Sequence, residues 1–384
     1  MAWMMAVLLI ALSVLTVGAK TDQAVMNISE TAQDMTLPCA SAILMDAATG
    51  QVLFEQNADA ALPPASVTKV MTLLLVMEAL DAGRIALTDP VTVSANAASM
   101  GGSQVYLKEG ETMSVEEMLK CVIIASANDC AVALAEFVAG SEERFVQMMN
   151  TRAAELGMVN TRFENTNGLD DTATNHVTSA RDIALMSREL IGHPKILEYS
   201  GIWMDSIRDG AFGLTNTNRL VRFYPGCTGL KTGSTAKAKF CISATAEREG
   251  LSLICVIMAA ENRDVRNAAA AKLLDFGFAN YAAYSAESGE GAVAVEGGTE
   301  PSCRVTYKSF HAVVPKGQSA KVEREICLPP VLRAPLAPGD EVGEVIYRLN
   351  GNEIGKVPIC VEQEVKKIDF ATIFCRILAQ FLLM

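Results

Sequence analysis

The chain has 384 residues, half of them hydrophobic, with 32 Lys and Arg against 44 Asp and Glu and a formal net charge of -12. That composition excludes a disordered chain, and the acidic balance argues against a nucleic-acid-binding protein, which needs clustered basic residues. The length suggests two domains. The three histidines, His176, His193 and His311, lie far apart, so a zinc hydrolase built on paired histidines is disfavoured and no metal or cofactor site is expected.

Residues 1–19 carry no charged side chain, contain a largely apolar run from Ala6 to Val17 and close on Val17-Gly18-Ala19, where small residues suit a signal peptidase. They read as a secretory signal, followed by a linker over 20–37. The n-region lacks Lys and Arg, and the alternative is an uncleaved N-terminal anchor, although the run is short of the roughly 20 residues that span a bilayer. Ten cysteines occur without the density of a disulfide scaffold and without a C-x-x-C pair. Several stand in apolar runs, as Cys255 does in Leu253-Ile254-Cys255-Val256-Ile257, and most are expected to be small buried hydrophobes.

Two β-rich runs between Ser41 and Gln56 flank Ala47-Ala48-Thr49-Gly50 and predict a hairpin. After Pro63-Pro64, the stretch from Ser66 to Ala82 is apolar almost all round and closes at Gly83, which predicts a buried helix. Ser114-Val115-Glu116-Glu117 has capping-box spacing, so a helix should run to about Ala125. Further helices are expected from Asp129 to Gly140, Glu142 to Leu156 and Ala180 to Ile191, the last behind a Ser179/Asp182 cap; Ser126-Ala127-Asn128 then falls at a helix junction. Lys239 to Glu247 and the continuous apolar run Leu251 to Ala259 predict a hairpin at the centre of a sheet, and Arg266 to Phe278 a final helix.

The Gly, Glu and Ser-rich stretch from Ser285 to Ser302 reads as a domain boundary. Beyond it, short β-branched runs separated by Pro315-Lys316-Gly317, Pro329-Pro330, Pro338-Gly339 and Asn350-Gly351 indicate a small all-β domain over 285–364. From Val365 to Met384 the apolar residues Ile368, Phe370, Ile373, Phe374, Ile377, Leu378, Phe381 and Leu382 share one helical face. With Arg376 inside the run, this suits a helix lying on a membrane surface better than one spanning it; a helix packed on the β domain is the alternative.

Ser66 and Lys69 stand three apart on the predicted buried helix and share a face. A hydroxyl becomes a nucleophile when a base takes its proton, and a lysine desolvated near other cations is neutral enough to serve. The S-x-x-K spacing alone is weak, since Ser234-Thr235-Ala236-Lys237 matches it too and Ser94-Ala95-Asn96 duplicates Ser126-Ala127-Asn128. The ordered set is specific: Ser66-x-x-Lys69 opening a buried helix, Ser126-Ala127-Asn128 between helices, and Lys231-Thr232-Gly233 leading into the sheet.

With these motifs the chain resembles the low-molecular-mass penicillin-binding proteins that are D-alanyl-D-alanine carboxypeptidases, in particular the membrane-anchored, two-domain kind. The blocks Pro64 to Lys69, Ala125 to Asp129, Asn167-Gly168-Leu169, Ser179 to Asp182, Gly229 to Gly233 and Lys272 to Phe278 carry the resemblance, as do Ala334-Pro335 and Gly339 to Gly343 further on. It implies an α/β domain of the serine β-lactamase and transpeptidase type over 38–284, with an antiparallel sheet flanked by helices, then the β domain, then an amphipathic anchor over 365–384. It further implies that Ser66 attacks the carbonyl between the two terminal D-alanines of a peptidoglycan stem, with Lys69 as base and Ser126 as proton relay. Asn128, Lys231, Thr232, Gly233, Ser234 and Arg266 would bind substrate, the backbone N–H groups of Ser66 and Ser234 would form the oxyanion hole, and β-lactams would be covalent inhibitors. The protein would be exported and held at the outer face of the bacterial cytoplasmic membrane.

For Arg266 a surface arginine, and for Lys231 an ordinary strand lysine, are the plainer readings. A β-lactamase of the same fold is the enzymatic rival, with Glu164-Asn165-Thr166-Asn167-Gly168 placing a Glu near the right region but without the Leu-Asn of that class. A non-catalytic peptidoglycan-binding protein is the other.

Overall fold

The structure, a computed structural model, describes residues 35–170 and 173–382. The expected signal over 1–19 and most of the linker over 20–37 lie outside the described residues. Two compact units meet in sequence at Asn280 and Tyr281.

The first unit is built on a five-stranded antiparallel sheet in the order Val52–Gln56, Ser41–Asp46, Leu251–Ala260, Lys239–Arg248, Cys227–Thr235. Leu251–Ala260 is its middle strand and is buried along nearly its whole length, which is why its sequence is continuously apolar. Cys255 Sγ faces the Ala270 carbonyl of the Arg263–Asn280 helix. Ser243, which pairs with Val256, meets Ser187 of the Ala180–Ile191 helix, the two hydroxyls 2.8 Å apart. Successive strand residues point to opposite faces, so these two helices cover opposite sides of the sheet. Gly277 makes the close approach possible: a Cβ there would stand 2.5 Å from Leu253 Cδ1.

The Lys69–Asp81 helix is buried from Lys69 to Met77, as its all-round apolar sequence requires, and a 3-10 turn, Ala65–Thr68, precedes it in place of the expected first α-turn. Ser114 Oγ accepts the Glu117 N–H and starts the Val115–Lys120 helix, but Cys121–Ala125 then widens into a π-turn. The Ala127 N–H closes it by returning to the Cys121 carbonyl, with Ser126 left-handed at φ 63. The expected helices follow at Asn128–Ala139, Glu142–Glu155 and Ala180–Ile191, capped by Ser141 and Ser179 hydroxyls at the latter two. Between Ile191 and the sheet lie elements that the sequence patterning did not single out. The chain there forms a Pro-led helix, Pro194–Ser200, a hairpin of Met204–Ile207 with Phe212–Thr215, and a single helical turn, Leu220–Phe223.

The second unit holds a six-stranded sheet in the order Val322–Cys327, Glu341–Leu349, Asn352–Val361, Ser302–Tyr307, Gly289–Glu296, Val331–Arg333, and a two-stranded ladder of Tyr281–Ala286 with Phe310–Pro315. The stretch from Ser285 to Ser302, expected to be a domain boundary, lies just past the change of unit at Tyr281 and is mostly strand. Gly289 serves packing there, for a Cβ on it would meet the Tyr307 hydroxyl at 2.2 Å. Tyr347, fully buried, stacks on Phe310 at 4.1 Å between ring centroids.

The terminal helix is Phe370–Leu382, starting five residues later than expected. Val365 is buried and bridges to Leu336, Lys367 bridges to Gly298, and Asp369 Oδ1 accepts the Thr372 N–H at 2.7 Å, which sets the start. Phe370, Ile373, Phe374, Ile377 and Leu378 are exposed. Among the described residues no helix is long and apolar enough to cross a membrane. The cysteines are free thiols, and five of the ten are buried, Cys121, Cys130, Cys241, Cys255 and Cys303, so the expectation that most would be buried holds for half.

Candidate active site

Ser66 sits in the 3-10 turn, half-buried, and Lys69 opens the helix behind it, fully buried. Lys69 Nζ stands 2.9 Å from Ser66 Oγ, 2.6 Å from Asn128 Oδ1 and 2.8 Å from the Asn167 carbonyl oxygen. Burial, and then the nearby Lys231 charge, hold the Lys69 ammonium well below the ordinary lysine range, with Asp129 acting weakly the other way. A neutral amine has two hydrogens and one lone pair. Asn128 and Asn167 offer the two acceptors, which leaves the lone pair for the Ser66 hydroxyl.

Ser126 enters from the π-turn. Its Oγ accepts from Lys231 Nζ at 2.8 Å, and Lys231 also reaches the Thr232 carbonyl at 2.9 Å. Lys231 is buried on the Cys227–Thr235 strand, and burial together with the Arg266 charge draws it down to about 7. Thr232 Oγ1 donates to Thr217 Oγ1 at 2.8 Å. A Cβ on Gly233 would stand 2.7 Å from the Ser66 backbone nitrogen and 2.8 Å from the Pro64 carbonyl oxygen. The glycine therefore lets the strand pass close over the nucleophile's own turn.

Arg266 lies in the first turn of the Arg263–Asn280 helix and is 3% exposed, which removes the surface-arginine reading. Its Nε and Nη2 donate to Asn267 Oδ1 and its Nη1 to the Cys241 carbonyl. Among the described residues no ion pair joins it to a carboxylate. Burial, then the Arg263 charge, pull it down to about 10.

A cleft of about 560 Å³ opens over this cluster, with Ser66, Ser126, Thr232, Gly233, Ser234 and Arg266 on its walls. Lys69, Asn128 and Lys231 are buried beneath it. Asn128 is held from both ends of its amide, Nδ2 donating to the Gly101 carbonyl at 2.7 Å. All nine singled-out residues thus gather in one place. The remaining members of the duplicate motifs do not: Ser94 caps the Ala95–Ala98 turn, and Lys237 is exposed and donates to the Asp170 carbonyl.

Sequence reasoning missed the Asn167 carbonyl, Thr217, and the further wall residues Trp203, Arg219, Phe223 and Arg263. Only Asn167 had a signal, the Asn167-Gly168-Leu169 block. Gly168 holds φ +84, and a Cβ on it would fall 1.9 Å from the Ala65 carbonyl oxygen, so this loop is pressed directly against the Ser66 turn.

Residues 27–262 match the sequence model of a family described as D-alanyl-D-alanine carboxypeptidase, and residues 284–367 match that of the penicillin-binding protein 5 C-terminal domain. The D-alanyl-D-alanine carboxypeptidase DacF of Bacillus subtilis (strain 168) is 41% identical over 344 residues, 88% of each chain. Penicillin binding protein 5 from Haemophilus influenzae superposes with a TM-score of 0.77 at 30% identity, over 87% of this chain and 99% of that one. Penicillin-binding protein D2 from Listeria monocytogenes, solved with ampicillin bound, gives 0.59 at 32% identity over 64% and 99%. The chain belongs to the D-alanyl-D-alanine carboxypeptidase family of serine peptidases, and its C-terminal β unit is of the kind found in penicillin-binding protein 5.

Proposed function

We propose that this serine-type D-Ala-D-Ala carboxypeptidase works through an acyl-enzyme on Ser66. The observation that carries the assignment is Lys69 Nζ at 2.9 Å from Ser66 Oγ with two carbonyl acceptors on its other side. Lys69 takes the Ser66 proton as Oγ attacks the carbonyl of the penultimate D-alanine. The tetrahedral oxyanion is met by the Ser66 and Ser234 N–H groups, fixed donors of a kind worth around 3 kcal/mol of barrier each. Ser126, held by Lys231, passes a proton to the departing D-alanine nitrogen, and water then hydrolyses the ester. Lys231, Thr232, Ser234 and Arg266 hold the terminal carboxylate, Asn128 bridges Lys69 to the substrate amide, and Gly233 keeps the wall strand close.

Splitting the amide cleavage into acylation and deacylation lowers each barrier. A penicillin, whose carboxylate and lactam carbonyl resemble the peptide terminus, acylates the same Oγ. The lactamase reading is weakened by Glu164, whose carboxylate accepts the Thr174 and Asn175 N–H groups at 2.8 and 3.0 Å and pairs with Arg162. That carboxylate serves its own loop. Residues 1–19 would direct export, 38–284 form the catalytic domain and 285–364 the β domain, and 365–384 would place the enzyme on the outer face of the cytoplasmic membrane.

The test is release of D-alanine from a pentapeptide stem and labelling by fluorescent penicillin, with Ser66→Ala as control. Loss of both in the variant supports the mechanism; a labelled Ser66→Ala protein would reject it. Rapid turnover of penicillin would favour the lactamase, and an inert wild type the non-catalytic protein.

A further inference from the structure

Two pieces of backbone meet beneath Ser66, and one imidazole ties them together. Ala65, immediately before the nucleophile, holds φ at 49, a left-handed value that a residue with a Cβ keeps only where its surroundings enforce it. Its carbonyl oxygen accepts from Thr68 Oγ1 at 2.8 Å. Thr68 Oγ1 in turn lies 2.7 Å from His176 Nε2, and the other ring nitrogen, Nδ1, accepts the Glu164 backbone N–H at 3.0 Å.

These contacts determine where the hydrogens are. An N–H points at Nδ1, so Nδ1 carries none. The one hydroxyl hydrogen of Thr68 is committed to Ala65, so Nε2 carries the imidazole hydrogen and donates it to Thr68. His176 is 8% exposed, and burial lowers it to about 4 against the weaker pull of Glu164 and Asp170, in keeping with a neutral ring. Its edge also packs against Phe163, with centroids 5.7 Å apart.

The segment from Glu164 to Gly168 that His176 grips carries the Asn167 carbonyl facing Lys69, and the Thr166 carbonyl, which accepts Thr72 Oγ1 at 2.6 Å. The same imidazole is therefore bonded to the turn bearing the nucleophile and to the loop bearing an acceptor for the base. Nothing in its position requires contact with substrate, since the cleft wall is formed by other residues.

We propose that His176 is a positioning residue that holds the Ser66 turn and the Asn167 carbonyl at one spacing, through Thr68 and the Glu164 N–H, and thereby governs the rate and pH dependence of acylation. This rests on the assignment of Ser66 as nucleophile and Lys69 as base. If the imidazole is lost, the Asn167 carbonyl drifts from Lys69. The ammonium form then loses an acceptor, so deprotonation becomes easier and the rising limb of the acylation profile moves to lower pH. The plateau rate falls at the same time, because the distance between Oγ and Nζ is no longer enforced. The charged groups acting on Lys69 are Lys231 and Asp129, and those acting on His176 are Glu164, itself paired with Arg162, and Asp170; all are left in place by the variants below.

The experiment is stopped-flow acylation by fluorescent penicillin across the pH range, on full-length wild type, His176→Leu, His176→Gln, Thr68→Val and Ser66→Ala. The second-order rate constant belongs to the active molecules, so a misfolded fraction does not dilute it. His176→Leu and Thr68→Val should each slow acylation by about 10- to 100-fold. Their rising limb should move to lower pH by about half a unit or more. His176→Gln, whose amide can supply both a donor and an acceptor, should recover most of the rate. Rate constants within twofold of wild type with an unmoved limb, or a loss that glutamine does not recover and that leaves the limb in place, overturn the proposal. Should His176→Leu fail to fold, Thr68→Val decides by the same two readouts. Labelling of Ser66→Ala would instead reject the nucleophile assignment, a separate outcome.

Discussion

Lys231 Nζ donates to Ser126 Oγ at 2.8 Å across 105 residues of sequence, joining the second and third motifs beneath the cleft. Burial and the Arg266 charge bring Lys231 down to about 7 in the free protein. In the proposed mechanism its ammonium form is the one that would hold the terminal carboxylate. The ratio kcat/KM for a stem peptide should therefore fall as pH rises through about 7, since that ratio reports the free enzyme. Arg266→Gln removes a like charge, so Lys231 should titrate higher and the falling limb move to higher pH, while KM rises from loss of a carboxylate partner. A falling limb that stays fixed in Arg266→Gln would show that another group sets it.

The two buried lysines carry a stability consequence. Each has a folded-state pKa below its unfolded value, near 10.4 in an exposed chain. Between those values the unfolded chain binds more protons, so stability should rise with pH from about 7 toward 10.5, and below about 7 the full penalty for the Lys231 ammonium applies. Lys69→Met keeps the volume and removes a buried amine whose proton the fold disfavours. It should raise the thermal midpoint at pH 7 and flatten its dependence on pH, while acylation falls by about 10²- to 10⁴-fold. A variant both slower and less stable would contradict this account.

Gly168→Ala tests how tightly the loop is pressed on the nucleophile's turn. The new Cβ would meet the Ala65 carbonyl oxygen at 1.9 Å and Thr68 Oγ1 at 2.8 Å, at a φ of +84. Left-handed strain costs about 1–2 kcal/mol and overpacking about 1–3 kcal/mol more. The melting temperature should drop by several degrees, and penicillin acylation should slow more than peptide KM changes, because Ser66 and Lys69 move rather than the carboxylate site.

Sequence legibility followed the range of the interactions. The hairpins, the capped helices and the buried helix from Lys69 were readable because hydroxyl caps, Gly83 and period-two or all-round apolar patterns act locally. The clustering of the candidate residues from Ser66 to Gly233 was readable because the three motifs come in order. The π-turn at Cys121–Ala125 was hidden, since it depends on a bond from Ala127 back to Cys121 that no local preference announces. The Asn167 acceptor was hidden because a backbone carbonyl leaves no residue-type signature, and the roles of His176 and Thr217 because each depends on a partner distant in sequence. The strand Gly289–Glu296 was hidden because its Gly and Glu content marks a domain boundary by composition, whereas Gly289 is there to admit the Tyr307 ring.

Phe370–Leu382 has 13 residues, about 20 Å at 1.5 Å each, short of the roughly 30 Å hydrocarbon core, and under the proposed anchoring it would lie on a bilayer and not cross it. Phe370, Ile373, Phe374, Ile377 and Leu378 present exposed apolar surface, while Lys366 and Lys367 stand just before the helix and Arg376 hydrogen-bonds the Thr299 carbonyl. A helix packed on its own domain would have hidden those five side chains. Burying each in the acyl boundary is worth about 1.5–3 kcal/mol before ordering costs, so two of them decide whether the helix stays bound. The full chain should cosediment with phosphatidylglycerol-containing vesicles, and deletion of 369–384 should leave it in the supernatant with penicillin acylation unchanged. Phe374→Asp with Ile377→Asp should lower partitioning by about 100-fold or more without altering thermal stability. Undiminished cosedimentation of the deletion variant would reject the helix as the membrane-binding element.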